Sequence, residues 1–198
     1  KFGLHKDDYI CALSRLTEEK GIHYLIEAYQ NVKTDKKLVI AGDTSDTDDY
    51  VMKLKKLAGN NPNIIFTGFV SGRTLEELYS NAYVYVLPSK LEGMPLSLLE
   101  AMSYGNCVIG SDIAEIADVV EDKAILFKKA NVEDLKEKLQ MVCDDVELVE
   151  KYKREASGYI CGRYNWEDVV ERTLDVYRLR GNRKSTIMHL NNEERVNG

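Results

Sequence analysis

Short apolar runs alternate with amphipathic stretches along this chain. Tyr9 to Leu13 is apolar, and Ile22, Leu25, Ile26, Tyr29 and Val32 follow at spacings of three and four that fit one helix face. Leu38-Val39-Ile40-Ala41 reads as a second strand ending in Gly42-Asp43, and Val51, Leu54 and Leu57 mark a second helix. Ile64-Ile65-Phe66 predicts a third strand closed by Gly68, and Leu75, Leu78 and Tyr79 a third helix. Val84 to Leu87 is a fourth strand, stopped by Pro88. The next helix is expected from Pro95, as its first residue, to about Tyr104, with Gly105 as a left-handed cap. Cys107-Val108-Ile109 and Ile125-Leu126-Phe127 predict a fifth and a sixth strand. Strands this short and continuously apolar are covered on both faces, so the alternation predicts a doubly wound parallel sheet, a Rossmann-like α/β fold.

After Phe127 the pattern is helical only, with Leu135, Leu139 and Val142 on one helix and Trp166, Val169, Val170, Leu174 and Tyr177 on the last. Residues 1–180 read as one domain, with 1–8 linker-like and 165–180 a C-terminal helix; 181–198 reads as a polar tail. The chain has 198 residues, enough to bury a core without disulfides. A hydrophobic fraction of 44% and a charged fraction of 30% exclude collagen-like and disordered classes. The net charge of −6 argues against nucleic acid as the main partner, while leaving room for a local anion site. No apolar run is long enough to span a bilayer, and no signal peptide opens the chain, so a cytoplasmic location is expected. Cys11, Cys107, Cys143 and Cys161 form no CxxC pair, and buried reduced thiols are expected for the first two.

In an open α/β sheet, ligands bind outside the carboxyl ends of the strands. After the first strand come Arg15 and Lys20, two cations able to bracket a diphosphate; the plainer alternative is a solvated Lys20 and an Arg15 paired with a nearby carboxylate. After the fourth strand comes Pro88-Ser89-Lys90-Leu91-Glu92-Gly93-Met94-Pro95-Leu96. Gly93 permits close backbone approach, and the N–H groups of the first helical turn are expected to form an anion site. Glu92 sits at the mouth of that loop, and Glu100 follows eight positions later on the helix. Glu100 is suited to accept from a pair of hydroxyls such as a ribose diol. The alternative is a loop Glu and a surface helix Glu with no shared role.

In their order along the chain these residues resemble the C-terminal half of glycosyltransferase family four, the glycosyl transferases group 1, of GT-B fold. The resemblance rests on Ser14-Arg15-Leu16, Lys20-Gly21, Leu38 to Gly42, Ile65 to Val70, Pro88-Ser89, the Glu92–Glu100 element, Gly105, Ser111-Asp112-Ile113, Leu126-Phe127 and Tyr164 to Glu167. It implies a retaining hexosyltransferase type of enzyme acting in polysaccharide biosynthesis. The matching Arg15 and Lys20 would contact the donor diphosphate, and Glu100 the ribose. Glu92, the catalytic candidate, would hold the donor sugar with the backbone of Gly93, Met94, Pro95 and Leu96, while Phe69 and Val70 would meet the base. The donor expected is a UDP-sugar, with a GDP-sugar next, and the acceptor a glycan or a lipid-linked glycan. The resemblance implies neither metal nor other cofactor. It also implies a separate N-terminal acceptor-binding domain, which would be the route of any peripheral membrane association, and a fragment inactive alone. Ser14, Ala114 and Asp118 depart from the usual Gly, Pro and Glu. Two rivals are a sugar-nucleotide epimerase of the same fold and a non-enzymatic α/β binding domain. The Asp46-Thr47-Asp48 sequence is read as a solvated helix-capping run, and His23 as a surface or packing residue.

Overall fold

The computed structural model describes residues 2–43 and 49–178. Asp46-Thr47-Asp48 and the tail 181–198 lie outside the described residues. Two compact units are distinguished, 1–160 and 161–198. In the first, β1 (Tyr9–Leu13), β2 (Lys37–Ala41), β3 (Ile64–Gly68), β4 (Val84–Leu87), β5 (Cys107–Ser111) and β6 (Ile125–Phe127) form one sheet in the order β3-β2-β1-β4-β5-β6. All five pairings are parallel, with Cys11 beside Val39 on one side and beside Tyr85 on the other. The chain thus builds outward from β1 in one direction and from β4 in the other. The boundary between β1 and β4 is a topological switch point, where the strand order reverses.

The helices are α1 (Ile22–Tyr29), α2 (Asp49–Ala58), α3 (Gly72–Ser80), α4 (Leu96–Ser103), α5 (Ala114–Val120), α6 (Val132–Asp144) and α7 (Val146–Arg163). In the second unit, 166–178 is helical. β1, β4 and β5 are buried along nearly their whole length, because helices cover both faces. Ile10, Ala12, Leu38, Ile40, Val84 and Val86 pack in one apolar cluster with α1, α2, α6 and α7. Gly110 faces the other layer: a Cβ there would lie 2.7 Å from Ile116 of α5, and Leu98 of α4 is its neighbour at 3.9 Å. Cys11 and Cys107 are free thiols and fully buried.

The six strands fall where the apolar runs predict them. Two features differ. The sequence pattern does not predict α5, whose seven residues are too few to show a helical period. Pro95 is not the first helical residue but the cap before it, with φ −78° and ψ 69°. Gly105, at φ 77°, does close α4, its N–H donating to Met102 O at 2.9 Å.

Two glycines let the strand ends converge. Gly21, at φ 66°, stands where a Cβ would come within 2.1 Å of the Pro88 carbonyl oxygen. The loops after β1 and β4 therefore touch, and Lys90 N–H also donates to Glu19 O at 2.7 Å. Gly42, at φ 134°, does the same for β2, since a Cβ there would lie 1.9 Å from Ser14 O. A side chain at either place meets backbone, which cannot step aside as a flexible side chain can.

Gly21→Ala is expected to destabilise the fold by about 2–4 kcal/mol, from left-handed strain and overpacking together. Urea unfolding at an unchanged m-value measures it, and a parent-like midpoint would show that the two loops do not meet in solution.

His23 is half-buried, with Nδ1 2.7 Å from the Tyr50 hydroxyl. Burial holds its imidazole below the ordinary value, with Lys53 and Lys90 adding to the effect and Glu18 opposing it. A depressed histidine contributes stability above the unfolded-state value of about 6.5 and loses it as pH falls below. The melting temperature is therefore expected to drop between pH 7 and 5, and to drop less in His23→Gln. Parallel pH profiles for the two proteins would remove His23 as the cause.

Candidate functional site

The loop after β1 carries Lys20 on a single 3-10 turn, Glu18–Lys20, closed by Gly21. The loop after β4 carries Glu92. Their side chains meet across 72 positions of sequence: Lys20 Nζ donates to Glu92 Oε1 at 2.8 Å and to Oε2 at 2.9 Å. The Ser89 hydroxyl donates to Glu92 Oε1 at 2.6 Å, and the Ser111 hydroxyl donates to Ser89 O at 2.5 Å. Ser89 and Ser111 are fully buried. The Glu92 side chain is only 7% exposed and that of Lys20 17%, so this is a sheltered pair. The carboxylate is held by a cation from the loop after β1 and a hydroxyl from the loop after β4, the two sides of the switch point. The plainer alternative for Lys20, a solvated cation, is thereby corrected.

Glu92 leads into α4. In that first turn Leu96 N–H donates to Met94 O at 2.9 Å, and Leu98 and Leu99 N–H share Pro95 O at 3.0 and 3.1 Å. Three of the N–H groups expected to serve an anion thus have backbone acceptors, because capping by Pro95 tightens the turn. No backbone acceptor takes the N–H of Gly93, Met94 or Ser97 among the described residues. Met94 and Leu96 expose their side chains, and Gly93 has open space at its missing Cβ. The loop therefore turns its backbone and its apolar tips outward together.

Arg15, Phe69 and Val70 do come together, on the other flank. With Leu13, Ser14, Gly42 and Asp43 they line a cavity of about 330 Å³ at the ends of β1, β2 and β3. Three backbone bonds fix its walls: Ser14 N–H to Ala41 O, Leu16 N–H to Asp43 O, and Gly42 N–H to Gly68 O. Phe69 is 75% exposed, an aromatic ring left in solvent beside a cationic Arg15 that is itself exposed. Such a ring offers a stacking face to a planar ligand.

Glu100 lies one turn into α4 and is exposed. Its Oε2 accepts from the Tyr79 hydroxyl at 3.0 Å, and it shares no hydrogen bond or ion pair with Lys20, Arg15 or Glu92. The structure thus brings Lys20 and Glu92 into contact, groups Arg15 with Phe69 and Val70, and keeps Glu100 on its own support. Among the described residues, no group of three or more His, Cys, Asp or Glu side chains is set to hold a metal ion.

Sequence reasoning assigns no role to Ser89, Ser111, Tyr79 or Tyr85. Tyr85 is buried in β4 and donates to Leu13 O at 3.0 Å, tying β4 to the strand end that lines the cavity. Its signal in the sequence is a tyrosine inside an otherwise aliphatic run, since a buried hydroxyl needs a partner.

The chain that carries this site has relatives. Residues 1–158 match the profile of the family described as glycosyl transferases group 1. An uncharacterized glycosyltransferase of Methanocaldococcus jannaschii is 32% identical over 182 residues, which are 89% of this chain and 46% of that protein. The O-antigen chain mannosyltransferase B of Escherichia coli is 26% identical over 187 residues, 90% of this chain and 48% of that protein. Among solved structures, Anabaena HepE in complex with UDP and glucose superposes with a TM-score of 0.81 at 19% identity, over 87% of this chain and 48% of that one. The chain spans about half the length of each of these two curated relatives. With a doubly wound six-stranded sheet of the kind found in GT-B glycosyltransferase domains, the chain belongs to the glycosyl transferases group 1 family.

Proposed function

We propose that this chain is the donor-binding half of a retaining glycosyltransferase, which moves a sugar from a nucleotide-sugar to a glycan or lipid-linked acceptor. The observation that carries this reading is the sheltered Lys20–Glu92 pair at the switch point, beside the cavity that Arg15 and Phe69 line. A UDP-sugar is the favoured donor, in keeping with the UDP named for the HepE structure, and a GDP-sugar is the next candidate.

In this reading the base lies in the cavity, against Phe69 and Val70. The ribose diol meets Glu100. The diphosphate lies between Arg15 and Lys20, reached by the outward N–H groups of Gly93 and Met94. Lys20 then changes partner, from the Glu92 carboxylate to a phosphate oxygen. Each anion contributes a charge-assisted bond, so the exchange keeps Lys20 compensated throughout. Glu92, still held by Ser89, is left facing the sugar with Gly93, Met94, Pro95 and Leu96 around it. Two phosphates between Arg15 and Lys20 need no metal in this arrangement.

The acceptor site is assigned to a preceding domain, because the relatives are about twice as long as this chain. The helix 166–178 places Trp166, Val169, Val170, Leu174 and Tyr177 on one face at spacings of three and four, suited to an apolar partner surface. Among the described residues no helix is long and apolar enough to cross a membrane. A cytoplasmic protein, associating with a membrane peripherally through the other domain, fits this reading.

Calorimetry with UDP and GDP in EDTA is expected to give binding to the parent. Glu100→Ala is expected to lower UDP affinity roughly tenfold or more, the worth of one hydrogen bond to a charged group. Glu92→Gln is expected to spare UDP, since Glu92 is assigned to the sugar and its loss leaves Lys20 without a competing anion. Equal losses in the two variants would undo this division of roles.

The 198-residue chain alone is expected to transfer no sugar, and a protein that also contains the preceding domain is expected to do so. Radiolabelled UDP-glucose and GDP-mannose, offered with a panel of acceptors, measure it. Robust transfer by the chain alone would place the acceptor site within these residues.

A further inference from the structure

Tyr79 stands on α3, and its side chain is fully buried. Its ring stacks on that of Tyr104, centroids 5.5 Å apart and planes at 14°, and tilts against Tyr85 at 5.8 Å. Its carbonyl accepts from Asn106 Nδ2 at 2.9 Å, and the same amide group donates to Ala101 O of α4. Asn106 is buried too. The ring is therefore clamped between α3, β4 and the end of α4, with one polar atom at its tip. That atom emerges at Glu100, a side chain otherwise in solvent.

Resting on the assignment of Glu100 to the ribose, we propose that Tyr79 is a positioning residue for diol recognition: its immobile hydroxyl fixes the Glu100 carboxylate before the nucleotide arrives. A carboxylate has about four acceptor sites. Tyr79 takes one, at Oε2, and a diol needs two, so the support does not block the ligand. A solvent-exposed glutamate without a partner samples many rotamers, and that freedom is lost on binding. Here the Tyr79 bond restrains the side chain beforehand. Burial first, then Tyr85 and Glu100, push the ionisation of the phenol far upward, so it stays a donor wherever the protein works.

Tyr79→Phe removes the hydroxyl and keeps the clamped ring. The test is calorimetry on the full chain with UDP, GDP, their 2′,3′-dideoxy analogues and pyrophosphate, for the parent, Tyr79→Phe, Glu100→Ala and the double variant. The parent is expected to bind the ribose forms roughly tenfold tighter than the dideoxy forms. Tyr79→Phe is expected to lose about three- to tenfold on the ribose forms only, consistent with one side chain freed to move. In the double variant it is expected to add nothing to Glu100→Ala. If the parent discriminates but Tyr79→Phe matches it, the positioning role is wrong and the ribose assignment stands. An equal loss on all ligands, pyrophosphate included, would mean that Tyr79 only holds the fold together. A parent that does not distinguish the ribose and dideoxy forms would overturn the ribose assignment and the positioning role with it.

Discussion

A carbonyl oxygen occupies the place where Gly21 has no side chain, and the site is assembled around that approach. Because Pro88 can come so near, the loops after β1 and β4 lie against each other instead of diverging freely. Lys20, beside Gly21, and Glu92, further along the loop that Pro88 opens, are then within bonding distance. The pair in turn holds Glu92 at the entrance to α4. Remove the close approach, and the switch point is still present in the topology but empty of chemistry. The sheet supplies direction and the glycine supplies proximity.

Burial sharpens the consequences. A charge pair this sheltered leaves an unpaired partner costly to keep, so either side chain is expected to give up the other only where another polar or charged group takes its place. Ser89 and Ser111 extend the arrangement from β4 to β5, and both are fully buried. Three adjacent strand ends therefore act on one carboxylate. Arg15 differs in kind: it is exposed at the edge of a cavity with an exposed aromatic ring beside it. The site has a stiff half, made by buried side chains, and an open half, made by Arg15 and Phe69.

The fold was legible because its strands are apolar from end to end and its glycines fall at strand ends. Tyr9 to Leu13 and Val84 to Leu87 needed no distant information to be recognised. The short helix Ala114–Val120 was not legible, because two turns are too few to display a period. The residue types of the site were readable from their order and from the family resemblance. Their contacts were not: the 72 positions between Lys20 and Glu92 carry no local signal that the two meet. Tyr79 was hidden for a similar reason. In sequence it is one apolar position of an amphipathic helix, and only the tertiary clamp turns its hydroxyl into a support for Glu100. The cap at Pro95 differs by one residue from the expectation, yet that residue decides which N–H groups face the loop.

The Ser111–Ser89–Glu92 chain has one more consequence. Each hydroxyl has a single proton to donate, and both are committed: Ser111 to the Ser89 carbonyl, Ser89 to the carboxylate. Ser89 therefore holds one oxygen of the carboxylate, Oε1, and leaves Oε2 to Lys20 alone. The Ser89 bond does not involve Lys20, so it keeps the Glu92 carboxylate oriented even while Lys20 is engaged elsewhere. A carboxylate tethered through one oxygen offers the other, Oε2, to whatever replaces the lysine.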